Sequence, residues 1–108
     1  MKTAELNGFL NQVLEPERFQ DACANGLVLE GTPVVRRLAL GVSLNSDWIS
    51  KALDWGADTM LVHHGVFQGG PFRLTGALYL LLRPLLERKI NLFSYHLPLD
   101  AHPNWATT

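Results

Sequence analysis

Short apolar segments alternate with segments of helical periodicity along these 108 residues, and this alternation constrains the fold more than any other feature. The helical segments carry apolar residues every three or four positions, whereas the strand candidates are short and rich in β-branched or bulky side chains. The helices predicted are residues 3–14, residues 46–56 with Ser46 as the N-cap, and a long helix from Thr75 or Gly76 to Lys89. A shorter helical turn is predicted over residues 19–25.

Strand candidates lie between these helices. The strands predicted are residues 27–30, 34–42, 59–62 and 91–95. Residues 59–62 form a continuous apolar run, which is typical of a strand covered on both faces. Because parallel neighbours are connected by helical crossovers, the sequence predicts an α/β fold with a mostly parallel sheet flanked by helices.

The long helix has two unusual features. Pro84 removes a backbone hydrogen bond inside it and should kink its axis, at a cost of about 3 kcal/mol in a regular helix. The six leucines between positions 78 and 86 cover more than one stripe of the helix surface, which predicts burial on two sides. One small sheet covers only one side of this helix, so a partner surface is expected to cover the other. Self-association into a homo-oligomer is the simplest way to provide that surface.

Length and composition fit a single domain spanning residues 1–108. Hydrophobic residues make up 47% of the chain and the formal net charge is −1, so a packed core is expected and nucleic acid is not an expected partner. Cys23 is the single cysteine, which excludes an internal disulfide and predicts a small buried residue rather than a nucleophile.

The chain offers no pattern for export or membrane insertion. Its first residues lack the apolar run of a signal peptide, and the longest apolar segment, residues 78–86, is too short to cross a bilayer. The sequence therefore predicts a cytoplasmic protein without a membrane partner.

All four histidines lie between positions 63 and 102. His63 and His64 follow one predicted strand, and His96 and Asp100 follow the next. Successive strand side chains point to opposite faces, but Gly65 lets the backbone turn so that both imidazoles reach the edge. If the two strands are parallel neighbours, their carboxyl ends meet at one edge, where open α/β sheets bind ligands.

Imidazole and carboxylate groups suit divalent zinc, iron, manganese or nickel. Two ions about 3.5–4 Å apart would take one imidazole each, with Asp100 between them, and would activate a bridging water. The two clusters together therefore predict metal-assisted hydrolysis.

Plainer interpretations remain open for each cluster alone. A His-His pair at a strand end is often only a pair of hydrogen-bonded or surface imidazoles, and His96 with Asp100 is compatible with a loop-stabilising hydrogen bond. Asn25-Gly26 is most simply a turn, residues 69–71 a flexible loop, and Trp105 an interface contact or a disordered residue.

Three motifs resemble those of the Nif-three-like (NGG-one-interacting-factor-three) family. They are Asn25-Gly26-Leu27 with Glu30-Gly31, Leu61-Val62-His63-His64-Gly65, and Tyr95-His96-Leu97-Pro98-Leu99-Asp100-Ala101-His102. Members of this family are also called dinuclear metal-centre proteins or GTP cyclohydrolase type 2 homologues. The resemblance implies an α/β protein assembled into a toroidal hexamer, with two divalent ions per subunit.

The same resemblance implies roles for individual residues. His63, His64 and Asp100 match metal ligands of the family. His96 matches its strand-end histidine, which implies a catalytic or substrate-facing group beside the metals. His102 remains open between such a role and that of a loop residue.

This chain also departs from the family pattern. Members usually continue into a second half that supplies another histidine and a glutamate, whereas this sequence stops at Thr108, so half of the usual two-lobed fold is expected. Gln68 and Ser43 stand where the family often has an aromatic and an acidic residue, respectively.

Three functions are compatible with these features. The first is a metal-dependent hydrolase of the GTP cyclohydrolase type 2 kind, acting on a small molecule or nucleotide. The second is a non-catalytic metal-binding or regulatory protein-interaction module. The third, a mononuclear iron oxygenase with two histidines and one carboxylate, fits the ligand types but is usually built on a β-sandwich.

Overall fold

A computed structural model describes residues 1–67 and 73–103 of the chain. The helices are α1 (Thr3–Leu14), α2 (Ser46–Trp55), α3 (Gly76–Glu87) and α4 (Leu97–Ala101), with a 3-10 turn at Pro16–Arg18. The strands are β1 (Gly26–Leu29), β2 (Leu38–Ser43), β3 (Thr59–His64) and β4 (Asn91–Ser94). The sequence-predicted loop 69–71, Gln68 and Trp105 lie outside the described residues.

The four strands form one sheet in the order β1-β4-β3-β2. The pairs β2–β3 and β3–β4 are parallel, and β1 joins the edge of β4 antiparallel. The predicted α/β fold with a mostly parallel sheet flanked by helices is therefore confirmed.

Apolar side chains cover the sheet on both faces. Met60 and Val62 of β3 pack with Leu82 and Leu85 of α3 and with residues of α2, and all four are essentially inaccessible to solvent. On the opposite face, Phe93 and Tyr95 pack against three leucines of α1, which are Leu6, Leu10 and Leu14. The continuous apolar run at β3 is thus a strand covered on both faces, as its sequence predicts.

The long helix α3 is covered on only one side within the described residues. Leu82 and Leu85 point into the core, whereas Leu80 is 66% exposed and Tyr79 and Leu86 are also exposed. Pro84 lies inside α3, which continues through it to Glu87. The apolar residues of the second side are present as predicted, but no described part of this chain covers them.

Several boundaries differ from the sequence prediction because side chains compete for the backbone. β2 begins at Leu38 rather than Val34, since the backbone N–H groups of Arg36 and Arg37 donate to the Asp58 carboxylate. The N-cap of α2 is Asn45 rather than Ser46, because Asn45 Oδ1 accepts a hydrogen bond from Trp48 N at 2.8 Å.

Two short helical segments differ from the sequence prediction. The helical turn expected over residues 19–25 is wrong in position: the 3-10 turn precedes it, and residues 19–25 are irregular. The short helix α4 was not predicted; Pro98 occupies its first turn, where a missing N–H costs little. No helix among the described residues has both the length and the apolar character needed to span a bilayer.

Candidate metal centre

The parallel pairing of β3 and β4 brings both histidine clusters to one edge of the sheet. Val62 is in register with Ser94, so His63 and His64 at the end of β3 lie beside the chain that leaves β4 towards His96. On the other side of β3, Ser43 is in register with His64, which places a hydroxyl where the resemblance expects an acidic residue. The geometric expectation that both clusters share one edge is met.

His63 has a polar partner at each of its two ring nitrogens. The side chain is buried, and its Nδ1 lies 3.0 Å from the carbonyl oxygen of Tyr95. Because a carbonyl only accepts, Nδ1 must carry the proton. The other nitrogen, Nε2, lies 3.1 Å from Oδ1 of Asp100, which α4 carries to the same edge.

Three imidazoles converge at this position. The ring centroid of His63 lies 4.2 Å from that of His64 and 5.1 Å from that of His96, and the His64 and His96 centroids are 5.4 Å apart. Each ring offers a nitrogen within 4.8 Å of the others. His64 is exposed and His96 is partly exposed, so the cluster is open to solvent.

His96 is anchored by a carboxylate that sequence analysis missed. Its Nδ1 lies 3.2 Å from Oδ2 of Asp21, whose side chain is only 5% exposed. Burial raises the pKa of Asp21, but hydrogen bonds from Leu97 N, Cys23 N, Asn25 and His96 outweigh that effect and lower the pKa to about 2. Asp21 is therefore ionised at neutral pH and accepts a hydrogen bond from the Nδ1–H group of His96.

Asn25 is more than the turn residue that its neighbour Gly26 suggests. Its Oδ1 accepts a 2.7 Å hydrogen bond from His96 N, and its Nδ2 donates to Asp21 Oδ2 at 3.2 Å. No local pattern marks Asp21 in the sequence. The available signal was the Asn25-Gly26-Leu27 motif, since a family motif outside the two histidine clusters suggests a contact with the site.

Cys23 and His102 have different positions relative to the site. Cys23 is half-buried rather than buried, and its sulfur lies within 4.8 Å of ligand atoms of Asp21 and His96. His102 follows α4, and it is in neither group of potential ligands found among residues 1–67 and 73–103.

The donor set fits a divalent transition metal. Imidazole nitrogens and carboxylate oxygens are the ligand types that zinc, iron, manganese and nickel share. With Nδ1 of His63 protonated, a neutral ring directs a lone pair at the Asp100 oxygen only 3.1 Å away. Such a contact is stabilised either by a cation at the two atoms or by a second proton on the ring.

Known proteins resemble this chain in sequence and in fold. The sequence profile of the family described as Duf34/NIF3 (NGG1p interacting factor 3) matches residues 1–108. A protein of Chlamydia muridarum named GTP cyclohydrolase 1 type 2 homolog is 43% identical over 97% of this chain and 44% of its own length. A relative of the same name from Vibrio cholerae is 39% identical over 95% of this chain and 41% of its own length.

A solved structure has the same fold. The crystal structure of the protein TTHA1606 from Thermus thermophilus superposes with a TM-score of 0.89 at 40% identity, over 94% of this chain and 43% of that one. The chain thus spans about two fifths of the length of the relatives it matches. Since the profile match covers every position, the chain belongs to the Duf34/NIF3 (NGG1p interacting factor 3) family.

Proposed function

We propose that this chain binds divalent metal ions through His63, His64 and Asp100 and that the bound ions support hydrolysis. The observation that carries the proposal is the 3.1 Å approach of His63 Nε2 to Asp100 Oδ1, made while His63 Nδ1 is hydrogen-bonded to a backbone carbonyl. Histidine ligands of metals commonly donate their second ring N–H in this way, which fixes the tautomer and aims the lone pair.

The neighbouring groups extend this arrangement. His64 brings a ligand nitrogen within 4.8 Å of one on His63. The Asp100 carboxylate, which contacts His63, would supply oxygen ligands. In hydrolysis, such ions supply an activated water and charge stabilisation. His96 lies beside both ligand imidazoles and is the group we assign to accept a proton from that water or return it to the leaving group.

The substrate class follows from the relatives. Proteins about 40% identical to this chain are named GTP cyclohydrolase 1 type 2 homolog. Opening a purine ring requires an activated water, so the proposed centre and that name are chemically compatible. A nucleotide is therefore the first substrate to test.

Further ligands must complete the shell of any ion held here, because three protein ligands leave coordination positions open. His64 is exposed, and the site opens to solvent at the sheet edge. In our proposal, these ligands come from water or from a second protomer. In the second case, metal binding would depend on assembly into a homo-oligomer.

The test is the metal content of the purified protein. We expect elemental analysis to find bound zinc, iron, manganese or nickel in the natural chain and a loss of at least about tenfold in the His63→Ala/His64→Ala double variant. The matched control is His102→Ala, which removes an imidazole outside the three-histidine cluster and should retain its metal. Equal metal content in the double variant and the natural chain would refute the proposal, as would metal-free protein after incubation with each ion.

A non-catalytic interaction module is the second candidate, and the exposed apolar side of α3 favours it. Leu80 is 66% exposed and Tyr79 is 40% exposed, so this helix has a surface suited to another protein. Assays on nucleotides and phosphoesters separate the two candidates. A metal-loaded chain whose turnover does not exceed that of His64→Ala would support the module, whereas metal-dependent turnover would support the hydrolase.

A further inference from the structure

We propose that Asp21 is a positioning residue that holds His96 in the Nδ1–H tautomer, so that Nε2 keeps its lone pair beside the His63–His64 pair. The inference rests on the proposed function for its catalytic meaning, since it makes His96 a proton acceptor at the metal edge. Its structural part concerns this chain alone and is testable without any metal.

The Asp21 carboxylate is built into the fold as an acceptor. Its side chain is 5% exposed, and Oδ2 accepts hydrogen bonds from Leu97 N at 3.0 Å and Asn25 Nδ2 at 3.2 Å. Oδ1 accepts from Cys23 N at 3.1 Å. Each of these three donors points its hydrogen at Asp21, so the carboxylate is oriented independently of His96.

His96 therefore meets a preformed acceptor. Its Nδ1 lies 3.2 Å from Oδ2 and 3.3 Å from Oδ1 of Asp21, and an ionised carboxylate has no proton to donate. Nδ1 must carry the hydrogen of this bond. In the neutral ring, Nε2 is then left with its lone pair.

The backbone around His96 is held by the same network. His96 N donates to Asn25 Oδ1 at 2.7 Å, while the next N–H, of Leu97, donates to Asp21. Two consecutive backbone groups at the start of α4 are thus tied to residues 21 and 25. The imidazole is oriented from both its ring and its backbone, 5.1 Å from the His63 ring.

The chosen tautomer has a chemical consequence. An Nε2 lone pair can take a proton from water at the cluster, whereas an Nε2–H group could only donate a hydrogen bond there. A competing assignment makes Asp21, Cys23 and His96 an ion site of their own, since their ligand atoms lie within 4.8 Å. The existing hydrogen bonds to both Asp21 oxygens favour the positioning role.

The first measurement needs no variant. Nitrogen-15 NMR of the histidine rings in the metal-free natural chain at neutral pH distinguishes the tautomers, and we expect the Nδ1–H form to predominate at His96. The same spectrum should show Nδ1–H at His63, which donates to the Tyr95 carbonyl. A predominant Nε2–H form at His96 would overturn the proposal.

The second measurement removes the carboxylate. In Asp21→Ala, the Nδ1–H tautomer of His96 should change from the major to the minor form. The tautomer of His63 should stay unchanged. Asp47→Asn is the control, because it removes a carboxylate whose partner is the exposed Lys51 and should leave His96 unaltered. A folded Asp21→Ala chain with an unchanged His96 tautomer would also overturn the proposal.

Two further checks separate the possible failures. If Asp21→Ala is unfolded, as a loss of spectral dispersion would show, the proposal is judged only by the His96 tautomer measured in the natural chain. Zinc added to the natural chain should perturb the ring nitrogens of His63 and His64 while His96 Nδ1 stays protonated. Loss of the His96 Nδ1 proton with a shift of the Cys23 signals would support the competing ion site and contradict the positioning role.

Discussion

Asp21 is held by hydrogen-bond partners that include residues distant in sequence, and these bonds affect the stability of the fold. Its pKa falls from 3.8 to about 2, because four hydrogen-bond donors outweigh the opposing effect of burial. A carboxyl group with a lowered pKa in the folded state stabilises the fold above its unfolded pKa. That contribution is lost as the pH falls through the folded value.

We therefore predict an acid-sensitive contribution of about 2 kcal/mol to the free energy of unfolding, which follows from the size of the pKa shift. It should be fully present above about pH 5 and lost as the pH falls towards 2. Urea unfolding of the natural chain and of Asp21→Asn across this range measures it: the difference between the two should shrink as the pH falls. A difference that is independent of pH would contradict the prediction.

At the scale of elements, the chain after β1 has no room for a side chain at Gly31. A Cβ built there would overlap the carbonyl group of Lys89 and lie 2.7 Å from the carbonyl carbon of Ile90. Gly31 N also donates to Asn91 Oδ1 at 2.7 Å, which holds this segment against the start of β4. The close approach of two backbone segments thus requires glycine here.

Gly31→Ala should lower the free energy of unfolding by about 3 kcal/mol, since the atoms it meets belong to backbone that cannot rotate away. The matched control is Gly8→Ala on the exposed side of α1, where a Cβ meets nothing within 4 Å. That change should raise the stability by up to about 1 kcal/mol through helix propensity. Thermal or urea unfolding of both variants checks the prediction, and equal effects of the two substitutions would refute it.

Across the whole molecule, buried Asn91 joins parts of the chain that are distant in sequence. Its Nδ2 donates to Thr32 O at 2.8 Å, Thr3 Oγ1 at 3.1 Å and Thr59 Oγ1 at 3.4 Å. These contacts tie α1, the segment after β1, and β3 to the first residue of β4. The buried amide has partners for its donors and, through Gly31, for its acceptor, which makes the connection stabilising rather than costly.

The outer surface of the molecule predicts self-association of this chain. Leu80 on α3 is 66% exposed, and Leu40 and Val42 on the edge strand β2 are 69% and 61% exposed. Apolar surface of this kind favours association between copies. We expect sedimentation velocity to show oligomers at micromolar concentrations and Leu80→Glu to shift the population towards monomer.

The control for this experiment is Ala4→Glu, which adds the same charge on the exposed side of α1 and should leave the oligomers intact. A clean monomer of the natural chain throughout the micromolar range would contradict the prediction. A shift of equal size in both variants would indicate a general effect of charge rather than an interface on α3.

The sequence alone determined the type and order of the main elements, because their periodicity is local. Three or four neighbouring residues suffice to mark an apolar helix face or a buried strand such as β3. The placement of His63 and His96 at one sheet edge followed from the same patterns once the strands were assumed to be parallel neighbours. That assumption was correct because a helix connects β3 to β4.

Tertiary structure decided what depends on distant partners. Asp21 meets His96 across 75 positions of sequence, and β1 joins β4 antiparallel although no local pattern indicates that direction. Likewise, Asp58 sets where β2 begins, because its carboxylate accepts hydrogen bonds from the backbone N–H groups of Arg36 and Arg37 just before Leu38. Such contacts form only when folding brings the two segments together, so hydrogen-bond partners and strand direction cannot be read from short stretches of chain.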